Sequence, residues 1–434
     1  MTVAGVELWG TRIGAVRWDP ERELGFFEYT SDFRRSGIEV APVHMPLSPA
    51  IYAFPGLARE SFHGLPGMLA DVLPDRFGNA LIDAWLASQG RAPESFDPVE
   101  RLCYTGSRGM GALEFKPVHD PGGPSRERLD VAKLVALADR VLHEREGFRA
   151  TLADDADAQG VRHILRVGTS AGGARAKAVL AWNPATEEVR SGEADVAAGF
   201  EPWVLKFDGV RGNRDRELDQ PQGYGLIEYA YHLMATAAGI DMSRCRIFAE
   251  GGRRHFMTRR FDRTADGGRL HMQSLCALGH LDFNQAGAHA YEQAMLLMRR
   301  LGLPMAAVEQ QFRRMVFNLL ARNQDDHTKN IAFLMDRRGD WSLSPAFDVT
   351  WSYNPDGAWT SRHQMSVNGK RDGFTLADLD ECARTVSMKR GRAAAIHDEV
   401  QAAVARWPEF AAAAGVDGER TAAIGATHRL DLPA

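Results

Sequence analysis

Asp325 and Asn330, in "DDHTKN", stand as D-x4-N, and Asp348 follows in "SPAFDV". A carboxylate and an amide at this spacing suit in-line phosphoryl transfer: the Asp accepts the proton of an attacking hydroxyl and the Asn binds a magnesium ion. Between them "IAFLM" and "WSLSP" read as two strands around the turn "DRRGD". Such a hairpin would bring Asp348 back beside Asn330 as a second metal ligand. Two hard oxygen ligands together with the phosphates of ATP suit Mg2+, which keeps several waters and rarely has an all-protein cage. Alone the D-x4-N pattern is weak, because a chain this long holds roughly one by chance. The competing reading is a solvated hairpin with loop carboxylates at its ends.

Upstream residues fall in the order that a protein kinase requires. The loop "GTSAGGARAK" (168–177) carries Gly172 and Gly173, which let backbone N–H groups approach phosphate oxygens without Cβ interference, although a small-residue turn would look the same. It ends at Lys177, and Arg175 within it either steers phosphate or is solvated. Lys206 lies in the strand "WVLKF", where kinases hold the lysine that reaches the α- and β-phosphates; an edge-strand lysine facing water is the alternative. Glu228 falls on the next helix, off the stripe expected from Leu226, Ala230, Leu233, Met234 and Ala237. It could pair with Lys206 or simply be a surface glutamate.

The elements that must hold these residues are legible in outline. The chain has 434 residues, 44% hydrophobic and 25% charged, which suits two or three globular domains. A net charge of -5 argues against a chain-wide electrostatic grip on nucleic acid. No apolar stretch approaches the roughly 18 residues of a membrane span, and the N-terminus lacks the pattern of a secretion signal. Four scattered cysteines without metal-site spacing fit reduced thiols in a cytoplasm. Strand-like "VELWGTRIGAVRW" and "LGFFEYT" open the chain, and "LPDRFGNALIDAWLASQG" reads as helix with Asp75 as its cap. The stretch "PVHDPGGPSRERLD" (117–130) reads as a linker, so a first domain covers 1–120. Next come an amphipathic helix, "VAKLVALADRVLHERE", and "VRHILRVGTSAGGARAKAVLAW" as a hairpin. "RCRIFAEGGRRHFMTRRFDR" is a second hairpin, closed by Gly251-Gly252. Met305, Val308, Phe312, Met315, Val316 and Leu319 then form a helical stripe running into the catalytic loop, and "GATHRLDLPA" reads as a disordered end. The expected class is α+β: an ATP-binding region over 121–263 and a mostly helical lobe over 264–434, with a cleft between lobes.

The segments "SAGGARAK", "VLKF", "RRFDR", "DDHTKNIAF" and "SPAFDV" resemble the HipA family of bacterial toxin kinases, and "LPDRFGN" is similar to the domain that precedes its kinase core. The resemblance covers nearly the whole chain and implies a two-lobed protein-kinase-like fold. It implies Asp325 as catalytic base, Lys206 on the ATP phosphates with Glu228 as its partner, and Asn330 and Asp348 as Mg2+ ligands. Arg259 and Phe261 of "RRFDR" would touch adenine, with Asp262 near the ribose. Lys177, Gly172, Gly173 and His327 would serve the nucleotide. Ser170 stands where the family carries its autophosphorylated serine, and a phosphate there would repel ATP and switch the enzyme off. Asp326 is a departure, since glycine is expected at that position; spacing favours Asp325 as base. His327 either braces the loop or contacts phosphate, and a structural histidine is as good a reading.

The resemblance further implies an ATP- and Mg-dependent serine/threonine kinase that arrests growth by modifying an essential protein, often an aminoacyl-tRNA synthetase. Its partner would be a HipB-like antitoxin that is also a DNA-binding repressor, with DNA contacted only indirectly. Two alternatives stay open: a small-molecule or lipid kinase, since phosphatidylinositol kinases share Asp-x-His-x-x-Asn, and a silent partner-binding co-repressor. No amphipathic membrane helix or polybasic cluster favours a lipid substrate.

Overall fold

The computed structural model describes residues 2–118, 128–143, 164–165, 167–168, 175–192, 198–210 and 222–434. Most of the expected linker and of the glycine loop, including Ser170, Gly172 and Gly173, lies outside these residues.

The chain begins with β1 (Val3–Leu8), β2 (Thr11–Asp19) and β3 (Leu24–Tyr29), joined in an antiparallel sheet of order β3-β2-β1-β4, where β4 is Leu113–Lys116. Alternation sets which face is buried: Ala4, Val6 and Leu8 enter the core while Val3 stays exposed. Between β3 and β4 lie two single-turn helices, Arg59–Phe62 and Gly67–Ala70, and two longer ones. Helix α1 (Arg76–Ser88) is capped by Asp75, whose Oδ1 accepts the Gly78 N–H at 2.7 Å. Helix α2 (Pro98–Thr105) starts with a capping box between Asp97 and Glu100.

A second, five-stranded antiparallel sheet has the order β6-β5-β7-β9-β8. Its members are β5 (Lys177–Trp182), β6 (Val189–Ser191), β7 (Glu201–Lys206), β8 (Cys245–Glu250) and β9 (Arg253–Arg259). Gly251 and Gly252, at φ +52° and +82°, close the β8–β9 hairpin, where residues with a Cβ would be strained. Helix α3 (Val131–His143) covers this sheet, sharing a core with Ala178, Leu180, Trp203 and Leu205. Phe77 and Leu81 of α1 join the same core. Thus α1, although carried by the first stretch of chain, is part of the second layer.

The remaining residues form a helical lobe around a three-stranded sheet of order β10-β11-β12: β10 (His271–Ser274), β11 (Ala332–Met335) and β12 (Trp341–Leu343). Helix α4 (Tyr224–Ala237) leads into it, followed by α5 (Tyr291–Arg300), α6 (Met305–Leu320), α7 (Leu376–Thr385), α8 (Arg392–Val404) and α9 (Trp407–Ala414). Val308, Phe312, Met315, Val316 and Leu319 of α6 are fully buried in one large core.

Three local expectations need correction. The run before the glycine loop is helical at 164–165 and 167–168, not a strand. A helix turns Ile164, Leu165 and Val167 into one core, whereas a strand would send neighbours to opposite faces. The buried stripe of α4 is rotated from the expected one: Tyr224, Ile227, Tyr231 and Met234 face inward, and Leu226 and Leu233 are only half-buried. The two tyrosines carry that face, and Glu228 lies on it. The C-terminal tail is ordered. Arg429 N–H donates to the Leu320 carbonyl at 2.8 Å, Leu376 N–H to that of Pro433 at 2.8 Å, and Leu430 and Leu432 pack on the core.

Buried charge ties the first sheet to the rest. Asp262 has no exposed surface; its Oδ1 accepts Arg260 Nε–H at 2.9 Å, and its Oδ2 accepts Arg263 Nη1–H at 2.7 Å and the Gly111 N–H at 2.7 Å. Arg260 and Arg263 in turn donate to the carbonyls of Gly109 and Gly111, each at 3.1 Å. Burial alone would raise the Asp262 pKa, but the two guanidiniums outweigh it and hold it far below the ordinary carboxylate value. Asp262→Ala should therefore cost about 3–5 kcal/mol of unfolding free energy in urea, because two cations are left buried without their counter-charge. A group with a depressed folded pKa stabilises above its unfolded value, near 3.9, and that contribution is lost as pH falls. Acid unfolding of the wild type should show this loss, and Asp262→Ala should show less of it.

Candidate active site

Between the five-stranded sheet, the helical lobe and α1 lies a cavity of about 570 Å³. Lys206, the last residue of β7, reaches into it. Its Nζ donates to Glu228 Oε1 at 2.6 Å and also to Asp348 Oδ1. Glu228 is 2% exposed, so an uncompensated carboxylate there would be costly. Burial disfavours the charged lysine, yet Asp348 and Glu228 prevail and hold its pKa above the ordinary lysine value. For Glu228 burial is the larger influence and raises the pKa, with Lys206 opposing it. For Asp348 burial is outweighed by Lys206 and then Lys177, and the pKa falls to about 2. Asp348 thus stands ionised at neutral pH, at the end of the β11–β12 hairpin. It adopts φ +52°, a conformation Asp tolerates better than most residues and one often held at functional sites.

Residues of the D-x4-N loop line the same cavity. Asn330 Nδ2–H donates to the Asp325 carbonyl at 2.9 Å, which turns its amide oxygen, a hard donor, the other way. Asp325 Oδ1 accepts the indole N–H of Trp359 at 2.6 Å, and His327 Nε2 stands 3.8 Å from the same oxygen. The His327 ring lies against Phe283 at 5.4 Å between centroids. Asp326 points elsewhere: it is buried, accepting from Tyr291 OH at 2.7 Å, His363 Nδ1 at 2.8 Å and the Gln364 N–H at 2.7 Å. Burial would raise its pKa, but His363 and these donors lower it. Asp326 is therefore a structural anion that fixes the loop from below, and Asp325 is the carboxylate that faces the cavity.

Arg259 and Phe261 line the sheet side with Val204 and Thr258, and the Phe261 ring packs on Phe347 at 5.5 Å. Arg175 lies over the Tyr224 ring and also lines the cavity. Lys177 reaches the cavity beside Lys206, its Cα partner across β5 and β7. The placement of Asp262 near a ribose is corrected: Arg260 and Arg263 draw its carboxylate into the junction with Gly111, and it does not line the cavity. Ser170, Gly172 and Gly173 lie outside the described residues. Sequence reasoning missed Trp359, which carries no motif, and the cavity-facing side of Asp75, read only as a cap.

The donors present fit a magnesium ion. Asn330 offers an amide oxygen and Asp348 an ionised carboxylate, both at the cavity wall. No group of three or more His, Cys, Asp or Glu side chains suited to a metal occurs among the described residues. An ion held by Asn330 and Asp348 would therefore complete its shell with phosphate oxygens and water.

Two family models match the chain. The HipA-like C-terminal domain matches residues 169–407 and the HipA N-terminal domain matches residues 4–116. The chain belongs to the HipA family. Among solved structures, HipA of Shewanella oneidensis MR-1, in a complex with HipB and operator DNA, superposes with a TM-score of 0.66 at 18% identity, over 98% of this chain and 94% of that one. The fold is thus the HipA fold, mixed α/β, two-lobed and kinase-like. The Helicobacter pylori proinflammatory kinase CtkA gives a TM-score of 0.33 at 11% identity, over 52% of this chain and 92% of that one. In sequence the chain is 30% identical over 158 residues to Y4mE of Sinorhizobium fredii, which carries the provisional name of a kinase. That match covers 34% of this chain and spans 36% of the relative's length.

The two neighbouring aspartates should separate in stability measurements. Asp326→Asn should lose about 1.5–3 kcal/mol in urea unfolding, the worth of hydrogen bonds to a buried charge. Asp325→Asn, at the cavity wall, should lose less than about 1 kcal/mol. Equal losses would contradict this division of roles.

Proposed function

We propose that this HipA-family chain is an ATP- and Mg2+-dependent protein serine/threonine kinase that acts in the cytoplasm. The observation that carries the reading is the convergence of Lys206, Glu228, Asp325, Asn330 and Asp348 on one cavity, from segments far apart in the sequence. Lys206, kept charged and aimed by Glu228, would bind the ATP phosphates. Arg259 and Phe261 would face the adenine. Asn330 and Asp348 would hold magnesium, which when bound supplies charge neutralisation for the transferring phosphoryl group. Asp325, oriented by Trp359, would take the proton of the acceptor hydroxyl. His327, within ion-pair distance of Asp325, would brace the loop.

Self-inhibition through phosphorylation of Ser170, an essential protein as target and growth arrest as outcome are parts of the proposal that rest on family membership. A HipB-like repressor as partner has a further support: the structural relative is seen with HipB and operator DNA. DNA would then be reached through that partner, in keeping with the net charge of -5. No helix among the described residues is long and apolar enough to cross a membrane.

Incubation of the purified protein with Mg-ATP, followed by intact mass and peptide mapping, tests the reading. We expect one added phosphate, on Ser170. Asp325→Asn should slow its appearance about 10²–10⁴-fold while MgATP still binds, since loss of a general base has that size. Near-normal transfer in Asp325→Asn would remove Asp325 from the role of base. Phosphate on a residue other than Ser170 would overturn the self-inhibition scheme. No transfer to itself or to any protein of a cell extract would favour a silent partner-binding protein.

A further inference from the structure

The cavity holds a second lysine whose counter-charge comes from the N-terminal part of the chain. Lys177 and Lys206 are directly paired across β5 and β7, and residues so paired project to the same face of a sheet. Lys206 is balanced by Glu228 and Asp348. Lys177 Nζ lies 3.3 Å from Asp75 Oδ2, and the two side chains are 3% and 4% exposed. Asp75 divides its oxygens between two tasks. Oδ1 caps α1 through the Gly78 N–H, whereas Oδ2 accepts no hydrogen bond among the described residues and faces Lys177. Both residues line the cavity together with Lys206, Asp325 and Asp348.

The pair sits against a packed core. Phe77 and Leu81, in the first and second turns of α1, are fully buried beside Ala176 and Ala178. A Cβ added to Gly168 would stand 2.6 Å from Leu81 Cδ1, so this stretch and α1 are in direct contact on that side. The helix and the base of β5 therefore share one packed core.

We propose that Asp75 is a positioning residue for phosphoryl transfer: it fixes the Lys177 ammonium at the phosphate end of the cavity, as Glu228 fixes Lys206. The inference rests on the kinase reading above. It makes the N-terminal domain part of the nucleotide site and not only an appended module. A buried ammonium without a counter-charge is costly and shifts toward its neutral form. With Asp75 beside it, the Lys177 Nζ is already aimed when the nucleotide arrives, and its contact passes from the carboxylate to phosphate oxygens.

A double-mutant cycle on the full chain tests this, with kcat and KM for MgATP measured separately from MgATP affinity by calorimetry. Asp75→Asn keeps a side chain that caps a helix as well as Asp but removes the charge; Asp75→Ser, which also caps, guards against a folding failure of the first variant. We expect Asp75→Asn and Lys177→Met each to lower kcat/KM about tenfold or more, the scale of a hydrogen bond to a charged group. The double variant should be no worse than Lys177→Met alone, because Asp75 acts through that lysine. Additive losses, or unchanged kinetics in Asp75→Asn and Asp75→Ser, would overturn the role of Asp75 and leave the kinase reading intact. Wild-type protein that neither binds MgATP nor transfers phosphate would overturn both.

Discussion

The charged triad of Lys206, Glu228 and Asp348 is the contact on which the rest of the site depends. Each member comes from a different element: the end of a sheet strand, the buried face of a helix and the loop after a hairpin in the helical lobe. Glu228, at 2% exposure, would be costly there as an unpaired charge. Together they convert three desolvation penalties into mutual attraction, although such a set stabilises the fold far less than it fixes its geometry. The meeting of the lysine with its carboxylates brings the lobes together at this point, and it places the groups proposed to bind phosphate and metal in one cavity.

Buried charge recurs as a means of positioning elsewhere. Asp262 with Arg260 and Arg263 joins the first sheet to the segment after β9. Asp326 gathers Tyr291, His363 and a backbone N–H beneath the catalytic loop, and so fixes the orientation of its neighbour Asp325. Asp75 does the same for Lys177. In each case one carboxylate touches groups distant in sequence, and for Asp262 and Asp326 its hydrogen bonds specify direction in a way that apolar packing does not. The site is thus surrounded by anchored anions, and the groups offered to the cavity are the ones left beyond them.

Much of this was legible in the residues. The Gly251-Gly252 pair and the Asp75 cap identified the β8–β9 hairpin and the start of α1, because those signals act over a few residues. The order of Lys206, Glu228, Asp325, Asn330 and Asp348 pointed to phosphoryl transfer, because that chemistry needs these residue types at constrained spacings. Glu228 was misjudged as lying off the buried stripe, since periodicity was counted on aliphatic residues while Tyr224 and Tyr231 carry the true inward face. Asp262 was misjudged because a motif shows which residue is present but not which way two adjacent arginines will pull it. The tail looked polar and unstructured, yet Leu430 and Leu432 find a groove that exists only after the helices have packed.

By itself, the sequence determined the local elements, the resemblance to the HipA family and the set of groups able to serve ATP and magnesium. These follow from short-range rules: backbone preferences, periodicity and the spacing of reactive side chains. Only the tertiary structure decided which of two neighbouring aspartates faces the cavity, that a tryptophan holds it, and that α1 belongs with the five-stranded sheet. Those outcomes depend on contacts between residues far apart along the chain, where the burial of each charge is settled by what else arrives beside it.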